Sequence, residues 1–280
     1  MLAAFLIEYS FYLVPGFEPL RERLAGPRLP WLLTASALVP YLLYSLGTGQ
    51  FSWLSLARLA ALALAVSFWY VVLPASPVTD VGLVCLLAAV LLHKYFDPIY
   101  APPVPRLDVD ILGHLALIHV SAMALLVERR VSGTGFGFLP RRKDWAIGIR
   151  YFLYFLPVGI PLALALKAFQ LAPIAPAWKI AGTFFGILWV VALSEEFFFR
   201  GLLQQWLERW TGSAAAGLVV TSLLFGLVHL GFRTFPNWRF AVVAAVAGWF
   251  YGRAFQQARS IRASMVTHAL MVTTWRALFA

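Results

Sequence analysis

The sequence predicts an all-α protein: a polytopic bundle of transmembrane helices with an active site buried in its C-terminal helices. Three observations predict it. Hydrophobic residues make up 61% of the chain and charged residues only 12%, where a soluble domain carries about 45–50% and about 25%. The apolar residues gather into runs long enough to cross a bilayer, about eight of them at roughly 17–25 residues each. One of these runs, Ile180–Trp206, contains Ser194-Glu195-Glu196-Phe197-Phe198-Phe199-Arg200. An ionisable side chain at the centre of a membrane helix costs at least roughly 2.5–3.5 kcal/mol, so two carboxylates and an arginine there need partners and a reason.

In chain order, Met1–Val14 is short, contains Glu8 and ends at Pro15-Gly16; it reads as an interfacial helix or a first, ninth span. Trp31–Leu46 is expected to kink near Pro40, because proline removes a backbone donor. Trp53–Leu73 ends at Pro74, and Val78–Phe96 follows. Asp97–Asp110 combines Pro98, Pro102, Pro103 and Pro105 with three aspartates, a loop composition. Ile111–Val127 ends in Glu128-Arg129-Arg130. Gly133–Asp144 is a basic, Gly-rich loop. Its Gly133-Thr134-Gly135-Phe136-Gly137 lacks the Lys-Ser/Thr of a phosphate loop and reads as a turn. Ala146–Phe169 is predicted to be broken by Pro157 and Pro161, and Ile180–Trp206, Ala214–Leu230, Phe240–Phe255 and Ala263–Leu278 complete the set. Trp145, Trp178, Trp206, Trp210 and Trp238 fall at predicted span ends, where interface anchors sit. His93 and Lys94 also lie at a span end and are expected to snorkel to the interface. No internal repeat is visible.

Loop arginines and lysines set orientation. The cluster Arg129, Arg130, Arg141, Arg142 and Lys143 places that loop in the cytoplasm. Arg21, Arg23, Arg28, Arg209, Arg253, Arg259 and Arg262 then fall on the same side and the Asp97–Asp110 loop outside; Arg233 and Arg239 are the exceptions. The net charge of +10 is therefore read as topology and contact with anionic lipid head groups, not as nucleic-acid binding. The single Cys85 can form no intrachain disulfide, and no CxxC zinc motif exists. Met1–Val14 lacks the preceding basic residue and the cleavage site of a standard signal peptide.

Glu196 and Arg200 are four apart and share a helix face, so they can pair. Glu195 is rotated by about 100° toward a different neighbour. That suggests a division of labour, with one carboxylate held and the other free to work; a Glu–Arg clamp between helices would be the structural alternative. His229 lies late in its span and His268 early in the last one. Either histidine alone reads as a core contact, and His114 and His119 read as bundle contacts. Carboxylates and two histidines on C-terminal spans, however, can be satisfied together by converging on one point. Such a set can activate water, with a glutamate or histidine taking the proton and a second histidine donating to an oxyanion. Glu/His sets also bind zinc. The zinc ligands would be Glu195, His229 and His268, but no HExxH helix is present and the metal-free reading is preferred. The span limits place His229 nearer the outer end than Glu195 and His268, so convergence requires either that the Ala214–Leu230 span starts later than drawn or that the helices are offset.

At these residues the chain resembles the CPBP intramembrane protease family, also called the CAAX protease or Abi family, over roughly Ile180–Thr274. Glu195-Glu196-Phe197-Phe198-Phe199-Arg200 resembles its EExxxR motif, Phe225-Gly226-Leu227-Val228-His229 its FxxxH motif, and His268 the histidine of its HxxxN motif. The resemblance implies a membrane endopeptidase of the glutamate type, with a metallo-type mechanism as the rival. In it Glu195 and His229 activate water, Glu196 and Arg200 support the site, and His268 helps form the oxyanion hole. Val272 stands where the motif has asparagine, and Thr273 or Thr274 is the candidate replacement donor. The implied substrate is a membrane-associated protein or peptide, and the implied location a bacterial plasma membrane. Residues 1–142 read as an accessory region, a lipid-embedded scaffold or substrate gate, and residues 143–280 as the protease domain. A non-catalytic binding or immunity protein of the same fold, and a proton-coupled transporter, are the other readings.

Overall fold

The computed structural model describes residues 1–280 apart from Pro105, Arg106, Asp108, Leu171 and Ala280. Those positions of the predicted Asp97–Asp110 loop therefore lie outside the described residues. Among the described residues every regular element is helical. The helices are α1 (Leu2–Leu13), α2 (Glu18–Leu24), α3 (Leu29–Thr48), α4 (Trp53–Ser67), α5 (Trp69–Val72), α6 (Pro77–Leu92) and α7 (Ile111–Met123). They are followed by α8 (Arg142–Ala165), α9 (Ala177–Thr211), α10 (Ala214–Val228), α11 (Trp238–Ala258) and α12 (Ile261–Leu278). Five of them, counted with their flanking turns, are long and apolar enough to cross a membrane: Leu29–Thr48, Ile111–Glu128, Arg142–Ala165, Ala177–Thr211 and Ala214–Gly231. The chain is thus a multi-pass membrane protein. The other predicted spans fall short individually: α1, α4 and α6 are shorter apolar helices, and α11 and α12 carry more polar residues.

The chain divides into two compact units, Met1–Val131 and Ser132–Ala280. In the first, α1, α3 and α7 pack together, and their polar residues meet. Nδ1 of buried His119 lies 2.8 Å from Oε1 of buried Glu8, and its Nε2 lies 2.8 Å from Oγ of Ser36. His119 is thus a bundle contact, as the sequence suggests. In the same unit Arg129 makes a two-pronged pair with Asp80 at 2.7 and 2.8 Å.

In the second unit local chemistry fixes the helix ends. Ser213 caps α10 by accepting from the Ala216 amide, and Asn237 caps α11 by accepting from the Phe240 amide. Gly212 ends α9 in the left-handed conformation (φ +66°) that glycine adopts without penalty. The Gly-rich segment is a turn, as expected: the Thr134 carbonyl accepts from the Ile261 amide at 2.8 Å and so anchors the start of α12. The core gathers Phe155, Phe199, Phe225, Ala244, Ala247, Tyr251 and Met271 from α8 to α12.

Two expectations are corrected here. Pro157 and Pro161 do not break α8, which runs unbroken from Arg142 to Ala165. A membrane helix tolerates proline where neighbouring groups satisfy the freed carbonyl. Trp206 is no interface anchor: it is buried, stacked on Trp210 at 6.1 Å between ring centroids. Trp178, Trp210 and Trp238 are exposed as interface residues would be.

The packing of α8 on α12 is close. A Cβ on Gly148 would sit 2.6 Å from Cβ of Val266 and 2.7 Å from the Ala263 carbonyl oxygen, whereas one on Gly182 would meet nothing within 4 Å. Gly148→Ala is therefore expected to destabilise the protein by about 1–3 kcal/mol. Gly182→Ala is expected to be neutral or stabilising by about 0.5–1 kcal/mol, since alanine favours the helix interior. Thermal unfolding in detergent checks both, and equal effects would contradict the packing.

Candidate active site

The sequence Ala192–Glu196 forms a regular α-helical turn of α9 between two wider, π-type segments, Ile187–Val191 and Phe197–Gln204. Such bulges recur at functional sites, because they re-aim neighbouring side chains. Behind this turn lies Arg200, wholly buried. It donates to Oε1 of Glu196 at 3.0 Å and to the Gly248 carbonyl at 2.9 Å. Its guanidinium carbon lies 4.7 Å from the Phe225 ring centroid and 5.1 Å from that of Tyr251. A carboxylate, a carbonyl and two aromatic faces thus replace the water that a buried cation would otherwise lack.

Glu196 in turn orients His268. Its Oε1 lies 2.8 Å from His268 Nδ1, while His268 Nε2 is 3.9 Å from Oε2 of Glu195. The imidazole stacks on Tyr251 at 4.5 Å with the rings 8° from parallel. A carboxylate paired with arginine accepts hydrogen bonds, so Nδ1 of His268 carries the proton. The two glutamates therefore address opposite edges of one histidine, rather than different neighbours as their 100° separation suggests. Glu196 is the held carboxylate. Oε2 of Glu195 makes no hydrogen bond among the described residues.

His229 sits where α10 ends and a short 3₁₀ turn, His229–Gly231, begins. Its Nδ1 lies 2.7 Å from the Phe225 carbonyl oxygen. A carbonyl only accepts, so Nδ1 carries the hydrogen and the neutral ring keeps a lone pair on Nε2. Phe225 also spaces the two histidines, its ring centroid lying 4.6 Å from His229 and 6.0 Å from His268.

Glu195, His229 and His268 line one cavity of about 460 Å³. α10 contributes its residue from its end and α12 from its first half. Val272 and Thr273 line the same cavity, together with Lys179, Arg233 and Arg276. The Thr273 hydroxyl is buried and makes no hydrogen bond among the described residues. Thr274 lines a second, apolar cavity of about 90 Å³ that shares His229 and His268 with the first. Phe152, Phe155, Phe225 and Met271 wall this smaller space. As to zinc, no group of three His, Cys, Asp or Glu side chains among the described residues is arranged to hold a metal ion; the proposed ligands Glu195, His229 and His268 share a wall without forming a ligand set.

All five predicted site residues thus come together. Sequence reasoning missed Gly248 and Tyr251, which bring α11 into the site. The signal was present as Gly248-x-x-x-Gly252, a small-residue spacing that lets membrane helices approach closely. A Cβ on Gly248 would lie 3.2 Å from the Arg200 guanidinium.

Residues 176–274 match the family model described as Rce1-like, type II CAAX prenyl endopeptidase Rce1-like. The match covers about a third of the chain, its C-terminal part, and over that stretch the sequence is similar to the CAAX protease family. The matched range contains all five site residues, and Gly248 and Tyr251 as well. No curated protein and no solved structure shows a match to this chain.

Removing one partner of a buried ion pair leaves the other charge unpaired, at about 3–5 kcal/mol. Arg200→Met is expected to destabilise the protein by that amount. Adding Glu196→Gln is expected to recover part of the loss, because the orphaned charge goes too. Chemical unfolding in detergent measures both; an Arg200→Met protein as stable as wild type would contradict the clamp.

Proposed function

We propose that this protein is an intramembrane endopeptidase that hydrolyses a peptide bond of a membrane-associated protein or peptide by water activated at Glu195 and His229. The carrying observation is the shared cavity lined by Glu195, His229 and His268, with Glu196 and Arg200 locked behind it. In this reading the Glu195 carboxylate and Nε2 of His229 hold the attacking water and take its proton. The hydroxide adds to the scissile carbonyl carbon. His268, braced by Glu196 and Tyr251, donates from Nε2 to the oxyanion in its protonated form, and Thr273 replaces Val272 as the second donor. Collapse of the tetrahedral intermediate returns the proton to the leaving amine.

The mechanism is proposed without a metal. Glu195, His229 and His268 are the residues that a zinc ion would draw on in the rival version, and chelation separates the two. The substrate is proposed to place a bulky apolar group in the smaller cavity and an anionic group near Lys179, Arg233 and Arg276. The location is proposed to be a bacterial plasma membrane.

With purified protein and a membrane-anchored reporter peptide, Glu195→Gln and His229→Asn are each expected to lower kcat by about 10²–10⁴, with KM little changed. Exhaustive chelation is expected to leave the rate intact. Cleavage that survives both Glu195→Ala and His229→Ala rejects the mechanism, and a rate restored only by added zinc replaces it with the metal version.

A further inference from the structure

The first unit contains a second constellation that the peptidase reading does not use. Glu8 on α1, His119 on α7 and Ser36 on α3 form an unbroken relay, carboxylate to Nδ1 at 2.8 Å and Nε2 to hydroxyl at 2.8 Å. Glu8 and His119 are buried, while Ser36 is half-buried. Tertiary packing alone brings them together, since Ser36 and His119 are 83 residues apart and Glu8 and His119 are 111 apart.

The polarity of the relay follows from the atoms. Glu8 accepts from Nδ1, which leaves the Nε2 lone pair facing the Ser36 hydroxyl; that hydroxyl has a second acceptor, the Leu33 carbonyl at 2.8 Å, and turns from it to Nε2 when it gives up its proton. This is the arrangement by which a carboxylate fixes an imidazole tautomer so that it can remove a serine proton. The face on which Ser36 sits gives the substrate class. Leu32, Val39 and Leu43 lie four before, three after and seven after it on α3, and they are 49%, 37% and 39% exposed. That stripe of a membrane-length helix is apolar and open, so the serine faces the acyl-chain region with the base and carboxylate behind it.

We propose that Ser36, His119 and Glu8 form a second hydrolytic site that takes long-chain acyl esters from the lipid phase. Ser36 Oγ adds to the ester carbonyl carbon as its proton passes to His119 Nε2. The intermediate expels the alcohol, which takes that proton, and leaves an acyl ester on Ser36. Water activated by His119 then cleaves this ester, so ester and water yield a fatty acid and an alcohol, and the serine is regenerated. Glu8 holds the imidazole and stabilises its charged form.

The test uses the full-length protein in detergent micelles, reacted with a hexadecyl fluorophosphonate and mapped by peptide mass spectrometry. The expected result is one adduct on Ser36, absent in Ser36→Ala and formed at least about 100-fold more slowly in His119→Gln. Turnover of a long-chain p-nitrophenyl ester should follow the same order. The site mapping on the wild-type chain does not depend on any variant folding. No adduct on Ser36, or labelling of His119→Gln at the wild-type rate, overturns the proposal and leaves the three residues as a packing contact.

Discussion

The guanidinium of Arg200 is the constraint on which the second unit depends. A buried cation inside an apolar bundle is tolerable only if its surroundings supply what water would. Here the supply comes from three helices at once: Glu196 on α9, the Gly248 carbonyl and Tyr251 on α11, and the Phe225 face on α10. The helices cannot slide past one another without exposing that charge to hydrocarbon. The clamp therefore fixes the relative heights of α9, α10 and α11, and through Glu196 and Tyr251 it fixes α12 as well.

Fixed helices aim side chains. Glu196 is spent on structure, since it holds Arg200 and His268 together, so Glu195 alone of the pair remains open to the cavity. Phe225 serves twice, with its ring against Arg200 and its carbonyl on His229. The same few residues that neutralise the buried charge thus set the tautomers of both histidines. Stability and chemistry share their parts, and a loss of the clamp and a loss of the site are one event. Such sharing is expected where polar groups are costly and few.

Much of this was legible in the sequence because it is local or chemical. The i,i+4 pairing of Glu196 with Arg200, the span order and the convergence of two histidines all follow from periodicity and from the cost of burying polar groups. What was not legible is what depends on tertiary context. Tyr251 looks like any aromatic in an apolar run until His268 stacks on it. Trp206 looks like an anchor until packing buries it. Pro157 and Pro161 look like breaks because a sequence does not show which neighbours satisfy the freed carbonyls. Glu8, Ser36 and His119 are individually unremarkable polar residues in apolar runs; only the packing of α1, α3 and α7 makes them a relay.

The central claim is that backbone and carboxylate acceptors hold both site imidazoles with Nδ1 protonated, leaving each Nε2 for the cavity. Nitrogen-15 NMR of histidine-labelled protein, assigned with His229→Asn and His268→Asn, measures this directly. The account predicts an Nδ1–H tautomer for the neutral form of both His229 and His268. An Nε2–H tautomer at either residue, with Nδ1 unprotonated, would contradict it.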